Sequence, residues 1–234
     1  MNTTKRIVCL ANSRKHHGRC VAGIEIVNRR PITWVRPVSG RPGAEVSEYE
    51  RQYPDGSDPK VLDILEVPLL APDPDGYQAE NWLLDPDSYW IPKGRVAWEQ
   101  LAQLANDDDP LWQDGTAPTY HGFNDRIDAS RADQFADSLR FIRVTDLAIR
   151  VFAPGADFNN PKRRVQGAFT YLRERYRVWV TDPLIERQYL AAPDGTYTIG
   201  DCYVTMSLGE RADDGYCYKL IAAVITQERA VEGT

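Results

Sequence analysis

The sequence predicts a mainly β fold, a β-rich α+β chain in which two strand-built units flank an irregular, partly helical connector. Three observations predict it. Four short β-branched, apolar runs separated by turn signals fill the stretch up to Leu69, with no helical periodicity among them. The same organisation returns from Leu139 onward. Between the two, residues 71–95 are crowded with Pro, Asp and aromatic residues and follow neither period.

The first runs are Lys5 to Ala11, Arg19 to Val27 after a turn at His17-Gly18, Ile32 to Val38 after Arg30-Pro31, and Val61 to Leu69 after PDGSDP. Strands this closely spaced suit a small barrel or sandwich rather than alternating βαβ units. In the connector, Trp82, Leu83, Leu84, Tyr89 and Trp90 are too apolar for a free linker, so the segment is ordered though irregular. Val96 to Ala105 carries apolar positions at helical spacing and ends at Asp107-Asp108-Asp109-Pro110. Ser130-Arg131-Ala132-Asp133 has the spacing of a capping box and opens a short helix through Asp137. The later strands are expected at Leu139 to Val144, Leu147 to Phe152, Val165 to Leu172, Tyr176 to Thr181, Tyr197 to Leu208 and Tyr216 to Gln227, with a helical turn from Asp182-Pro183 to Leu190. The expected division is a first barrel-like unit at 1–75, a connector with a short helix at 76–137, and a second unit at 138–234. No sequence repeat links the halves.

Hydrophobic residues make up 42% and charged residues 26% of the 234, enough for a core and against wholesale disorder. No apolar run reaches the ~20 residues of a membrane helix. The apolar stretch Ile7 to Ala11 is too short for a secretory signal, which makes the cytoplasm the expected compartment and a membrane partner unexpected. Cys9, Cys20, Cys202 and Cys217 are then reduced and read as small buried hydrophobes. The net charge of −6 conceals an asymmetry: residues 1–51 hold ten Lys/Arg and four Asp/Glu, residues 52–137 five and eighteen, residues 138–234 thirteen and twelve. A basic first unit is masked by an acidic middle.

Alternation points to binding chemistry. In Arg175-Tyr176-Arg177-Val178-Trp179-Val180-Thr181, Tyr176, Val178 and Val180 share a core face, leaving Arg175, Arg177 and Trp179 on the other. In Ile32-Thr33-Trp34-Val35-Arg36, Trp34 and Arg36 share a face. Rings stack bases and guanidinium groups meet phosphates, which is what a single-stranded nucleic acid requires; a Trp capping a barrel mouth with Arg packed across it explains the same pattern without a ligand. Asn12, Ser13, Arg14, Lys15 and Arg19 surround the first strand connection, where backbone N–H groups and side chains together suit phosphate, and Lys162-Arg163-Arg164 opens the later β-run.

Catalytic and metal chemistry find less support. GxSxG, HExxH, P-loop and GxGxxG patterns are absent from the sequence. Cys9, His16, His17 and Cys20 follow no common zinc spacing, and acidic pairs such as Asp63/Glu66 and Asp85/Asp87 are expected by chance in so acidic a stretch. No metal, cofactor or catalytic residue is therefore assigned, and binding is expected rather than catalysis.

Blocks spread over nearly the whole chain carry a family resemblance: KRIVCLANSRKHHGRCVAG and ITWVRPVS at the start, YQAENWLL in the middle, YRVWVTDP, VTMSLGE and GYCYKLIAAVI at the end. They resemble the bacterial dual-OB-containing domain family. The resemblance implies two OB-like small barrels and a role in handling nucleic acid, within a bacterial defence or nucleic-acid-processing system. Its blocks cover Asn12, Ser13, Arg14, Arg19, Trp34, Arg36, Thr181, Asp182, Ser207, Glu210 and Lys219. The expected function is thus a module binding single-stranded DNA or RNA through Asn12, Ser13, Arg14, Lys15, Arg19, Trp34, Arg36, Arg175, Arg177, Trp179 and Lys219. The alternative is an interaction adaptor without enzymatic activity that docks another protein through the acidic middle.

Overall fold

Residues 63–72 alternate strictly between buried and half-buried positions as far as Leu70, the signature of a strand with one face on a core. The computed structural model, which describes residues 3–106, 108 and 110–231, builds that strand into the first of two units. Asp107 and Asp109 of the acidic run lie outside the described residues. The first unit comprises the chain up to Ala105 together with Ala136–Ser138 and the segment from Gln227; the second comprises Asn106–Phe135 and Leu139–Thr226.

In the first unit, β1 (Thr3–Lys15), β2 (Gly18–Val27) and β3 (Arg30–Val38) form an antiparallel meander, followed by the short helix α1 (Glu48–Arg51). β4 (Asp63–Pro72), β5 (Asn81–Leu84) and β6 (Ile91–Arg95) complete the sheet. β3 pairs with β5 in parallel, β5 with β4, and β4 returns to β1, so five strands close in the circuit first–second–third–fifth–fourth–first, with β6 added beside β4. Ile7, Cys9, Val21, Val35, Leu65, Val67, Leu69, Leu84 and Trp90 fill the barrel. Trp90 and Leu84 come from the apolar part of the connector, and their burial explains why it cannot be a free linker. Closure depends on Gly23: a Cβ there would lie 2.2 Å from the Val8 carbonyl oxygen, so only glycine lets β1 and β2 approach. The stretch expected as a helix over Val96 to Ala105 is a 3₁₀ helix, Trp98–Gln103, with Leu101 and Leu104 buried at its i, i+3 spacing.

The second unit repeats the circuit. β7 (Arg126–Asp128) is an added edge strand, and a 3₁₀ helix at Ala129–Gln134 follows, capped by Asp128 rather than Ser130. Then come β8 (Leu139–Phe152), β9 (Arg164–Tyr171), β10 (Glu174–Val180), α2 (Pro183–Leu190), β11 (Gly195–Arg211) and β12 (Tyr216–Ile225). β8 pairs with β9, β9 with β10, β10 with β12 in parallel, β12 with β11, and β11 with β8. Each unit is therefore an OB-like barrel with its helix between third and fourth strands. The two strands expected between Leu139 and Phe152 are one, with the irregularity taken up where β11 shifts register at Gly200. Asp182 fixes α2 as foreseen: its side chain accepts from Leu184 N at 3.0 Å and from Val224 N at 3.1 Å, joining the helix start to β12. Cys9, Cys202 and Cys217 are buried and Cys20 half-buried; all four are free thiols. Burial pushes the Cys9 and Cys202 thiols up to about 12. Among the described residues no helix is long and apolar enough to cross a membrane.

Candidate functional site

The alternation along β10 resolves as its sequence implies. Tyr176, Val178 and Val180 are buried, Arg175 is exposed, and Arg177 and Trp179 are half-buried on the opposite face. Register then decides which residues join them. Trp179 stands opposite Gln166 of β9, which stands opposite Arg150 of β8, giving one cross-strand row. Phe152 and Arg164 form the next row, Ala148, Ala168 and Arg177 the row on the other side. The outer face of β8–β9–β10 thus gathers Arg150, Arg164, Arg175 and Arg177 around Phe152 and Trp179.

The rings and cations are interleaved. Phe152 and Trp179 are stacked, centroids 6.0 Å apart and planes 22° from parallel. The Arg164 guanidinium lies 3.8 Å over Trp179, and that of Arg150 lies 4.0 Å over Phe152. His121 meets the edge of Phe152 at 5.1 Å and Tyr120 at 4.7 Å, and Arg175 covers Phe123 at 4.8 Å. Tyr120 is 88% exposed, an aromatic side chain presented to solvent with little packing of its own.

The loop that brings Tyr120, His121 and Phe123 to this face is built to hold its shape. Asp125 accepts from Thr119 through Oγ1 at 2.5 Å and through N at 3.1 Å, and Gly122 N donates to Thr119 Oγ1 at 2.9 Å. Phe123 exchanges two backbone hydrogen bonds with Arg177, at 3.1 and 2.9 Å. Gln166 Nε2 donates to the His121 carbonyl at 3.0 Å, which explains why this outward-facing glutamine is buried. The basic cluster at 162–164 divides in role. Arg163 ties the β8–β9 loop to the end of α2 through Asp194, the Leu190 carbonyl and the Ala192 carbonyl, whereas Arg164 sits over Trp179. Among the described residues, Arg150, Arg175 and Arg177 enter no ion pair.

The other expected residues are placed differently. Arg14 and Arg19 face each other across the β1–β2 hairpin, with Lys15 opposite Gly18. Asn12 Nδ2 donates to the Pro59 carbonyl at 2.7 Å, and Ser13 is buried with its hydroxyl 3.4 Å from the Cys20 carbonyl. Arg19 is held by two backbone hydrogen bonds with Val46, each 2.9 Å. Trp34 is half-buried and pairs with Ile24, five residues along β2 from Arg19, so about 16 Å separates the hairpin tip from Trp34 at ~3.3 Å per residue. The structure does not bring those two groups together.

Arg36 is 5% exposed and committed inside the first unit: Nε donates to Asn81 Oδ1 at 2.7 Å, and Nη2 donates to Glu80 Oε1 and Ser138 Oγ, each at 2.6 Å. Lys219, 1% exposed, donates to Asn124 Oδ1 at 3.1 Å, and its burial lowers the amine to about 8. Of the residues singled out from the sequence, Arg164, Arg175, Arg177 and Trp179 are thus the ones that belong to the arginine-aromatic face. Arg150 and Phe152 were not singled out, although Leu147 to Phe152 shows the same alternation of Arg and aromatic against buried Ile149 and Val151.

Among the described residues no group of three or more His, Cys, Asp or Glu side chains is placed to hold a metal ion. No curated protein and no solved structure matches the chain. The family described as the dual OB-containing domain matches it over residues 5–224. A match of that span, on a chain whose two units each close in the OB strand circuit, means that the chain belongs to the dual OB-containing domain family.

Proposed function

We propose that the second barrel binds single-stranded nucleic acid on the outer face of β8–β9–β10. One observation carries the reading: among the described residues Arg150, Arg175 and Arg177 enter no ion pair, yet they are gathered with the stacked Phe152–Trp179 pair on one sheet face. The second and third strands of an OB barrel, with the loops beside them, are where such folds bind oligonucleotides, and β9 and β10 hold those positions here. Guanidinium groups supply phosphate attraction, and the rings supply stacking of roughly 1–3 kcal/mol per base whatever the base. The net charge of −6 does not oppose this, because attraction depends on the local field of the face.

Fluorescence-anisotropy titration with labelled single-stranded DNA and RNA, at about 50 and 200 mM salt, tests the reading. Binding that weakens steeply with salt and drops in Trp179→Ala supports it; no binding to either polymer at the lower salt overturns it. The expected protein partner has one specific feature in its favour. Tyr89 is 53% exposed beside the exposed Asp87, an aromatic in acidic surroundings suited to a basic partner surface. A partner bound there would remain bound in Trp179→Ala.

A further inference from the structure

We infer that the cleft at the Arg175 end of this face is a base-selecting subsite that prefers guanine; the inference rests on the nucleic-acid reading above. The cleft has a volume of about 270 Å³ and lies wholly within the second barrel. That is just below the roughly 300–1,000 Å³ of pockets that take a drug-sized ligand, so it suits one ring system rather than a longer segment. Ala148 and Ala168, directly opposed in the β8–β9 register, form its floor. Their small side chains leave a depression between the Phe152–Trp179 pair and Phe123. Arg177 lies two residues, or about 7 Å, along β10 from Trp179, so neighbouring bases of one strand can occupy the ring platform and the cleft. Arg175 and Arg177 line the cleft and are available for the phosphate that joins the two.

Asp146 is the feature that phosphate binding does not explain. It lines the same cleft, is exposed, and among the described residues enters no ion pair. A carboxylate there repels phosphate unless it meets a hydrogen-bond donor from the ligand. Its orientation is fixed by Thr170 N, which lies 3.0 and 3.1 Å from the two carboxylate oxygens. An ionised carboxylate has about four acceptor positions, so one N–H leaves it able to accept more. In a single strand the Watson–Crick edge of a base is free to be read. Guanine presents two adjacent donors there, N1–H and the N2 amino group, matching the two oxygens. Adenine and cytosine present one amino group beside a ring nitrogen acceptor, which faces the carboxylate unfavourably.

The test is anisotropy titration of the full chain with a short labelled oligothymidine carrying one central guanine, inosine or adenine. Guanine is expected to bind about ten-fold more tightly than adenine, within the range one well-placed pair of base contacts supplies, with inosine between them because it lacks the N2 amino group. Asp146→Asn is expected to abolish the preference without weakening binding to plain oligothymidine, since it removes only a negative charge from beside the phosphates. Ala168→Leu, which fills the floor and removes no charge, is expected to abolish the preference as well, with salt-sensitive binding to plain oligothymidine retained through the ring platform. Equal affinity for the three oligonucleotides, or a guanine preference that survives in both variants, overturns the subsite and leaves nucleic-acid binding standing. Absence of binding to any oligonucleotide overturns both.

Discussion

The guanidinium of Arg164 lies 3.8 Å above the ring of Trp179, pairing the first residue of β9 with the penultimate residue of β10. That contact places a cation and a stacking surface at one point of the second barrel. A base that stacks on Trp179 must displace the guanidinium or share the ring with it, and either way the positive charge remains within reach of the adjoining phosphate.

Trp179→Ala is expected to weaken single-strand binding by roughly 1–3 kcal/mol, with Trp179→Phe retaining most of the affinity. Anisotropy titration measures both. Equal losses for Ala and Phe would show that the site needs something other than a stacking surface.

Replacing Arg177 with Gln is expected to lower the magnitude of the slope of log affinity against log salt by about 0.7, the contribution of one phosphate contact to single-strand binding. Arg175→Gln is expected to act similarly. The same titration repeated at several salt concentrations gives the slope, and a slope identical to that of the unaltered chain removes phosphate contact from either residue's role.

Arg36→Ala is expected to act on stability. It leaves Glu80 buried, with its side chain 4% exposed and its guanidinium partner gone. Breaking a buried pair in this way costs about 3–5 kcal/mol. Urea denaturation checks the loss. Trp34→Ala, at the other candidate position of β3, is expected to leave the salt slope of binding unchanged.

Lys219 sets a pH dependence. Its amine titrates at about 8 in the folded chain against 10.5 ordinarily, because burial disfavours the charge. From pH 8 upward the unfolded chain holds a proton that the folded chain has lost, so this group's contribution to stability rises with pH; below pH 8 its protonation is a constant penalty on the order of 3 kcal/mol. Cys9 and Cys202 have the opposite sign, since burial raises their folded values and their contributions fall above the unfolded thiol value of 9.0. Across pH 8 to 9 the two kinds of group oppose one another, so the lysine is read as a difference between chains. Denaturation across that window is expected to show the stability of the unaltered chain rising relative to that of Lys219→Met, in which only the falling thiol contribution remains.

Much of the fold was legible because period-2 alternation is a local property. The strand faces of β4 and β10 follow from their own residues, as does the Asp182-Pro183 start of α2. The apolar content of residues 82–90 likewise showed that they are packed, and Trp90 proves to be a core residue of the first barrel. The fate of Arg36 was not legible, since its partners Glu80, Asn81 and Ser138 lie 44, 45 and 102 residues away. An arginine beside a tryptophan on a strand reads the same whether the guanidinium faces solvent or a buried carboxylate. Lys219 shows the same limit, with Asn124 95 residues away. A third of the arginine-aromatic face was hidden for a related reason. Arg150 and Phe152 join Trp179 only through the register of β8 against β9 and β9 against β10, which a single sequence does not state.

Ultraviolet crosslinking of a bound single-stranded oligonucleotide to the intact chain, with the crosslinked peptides identified by mass spectrometry, tests the location of binding most directly. Crosslinks are expected on the peptides carrying Tyr120, His121 and Phe123, Phe152, and Trp179. Crosslinks confined to the β1–β2 hairpin or to the peptide carrying Trp34 would contradict the assignment of binding to the second barrel.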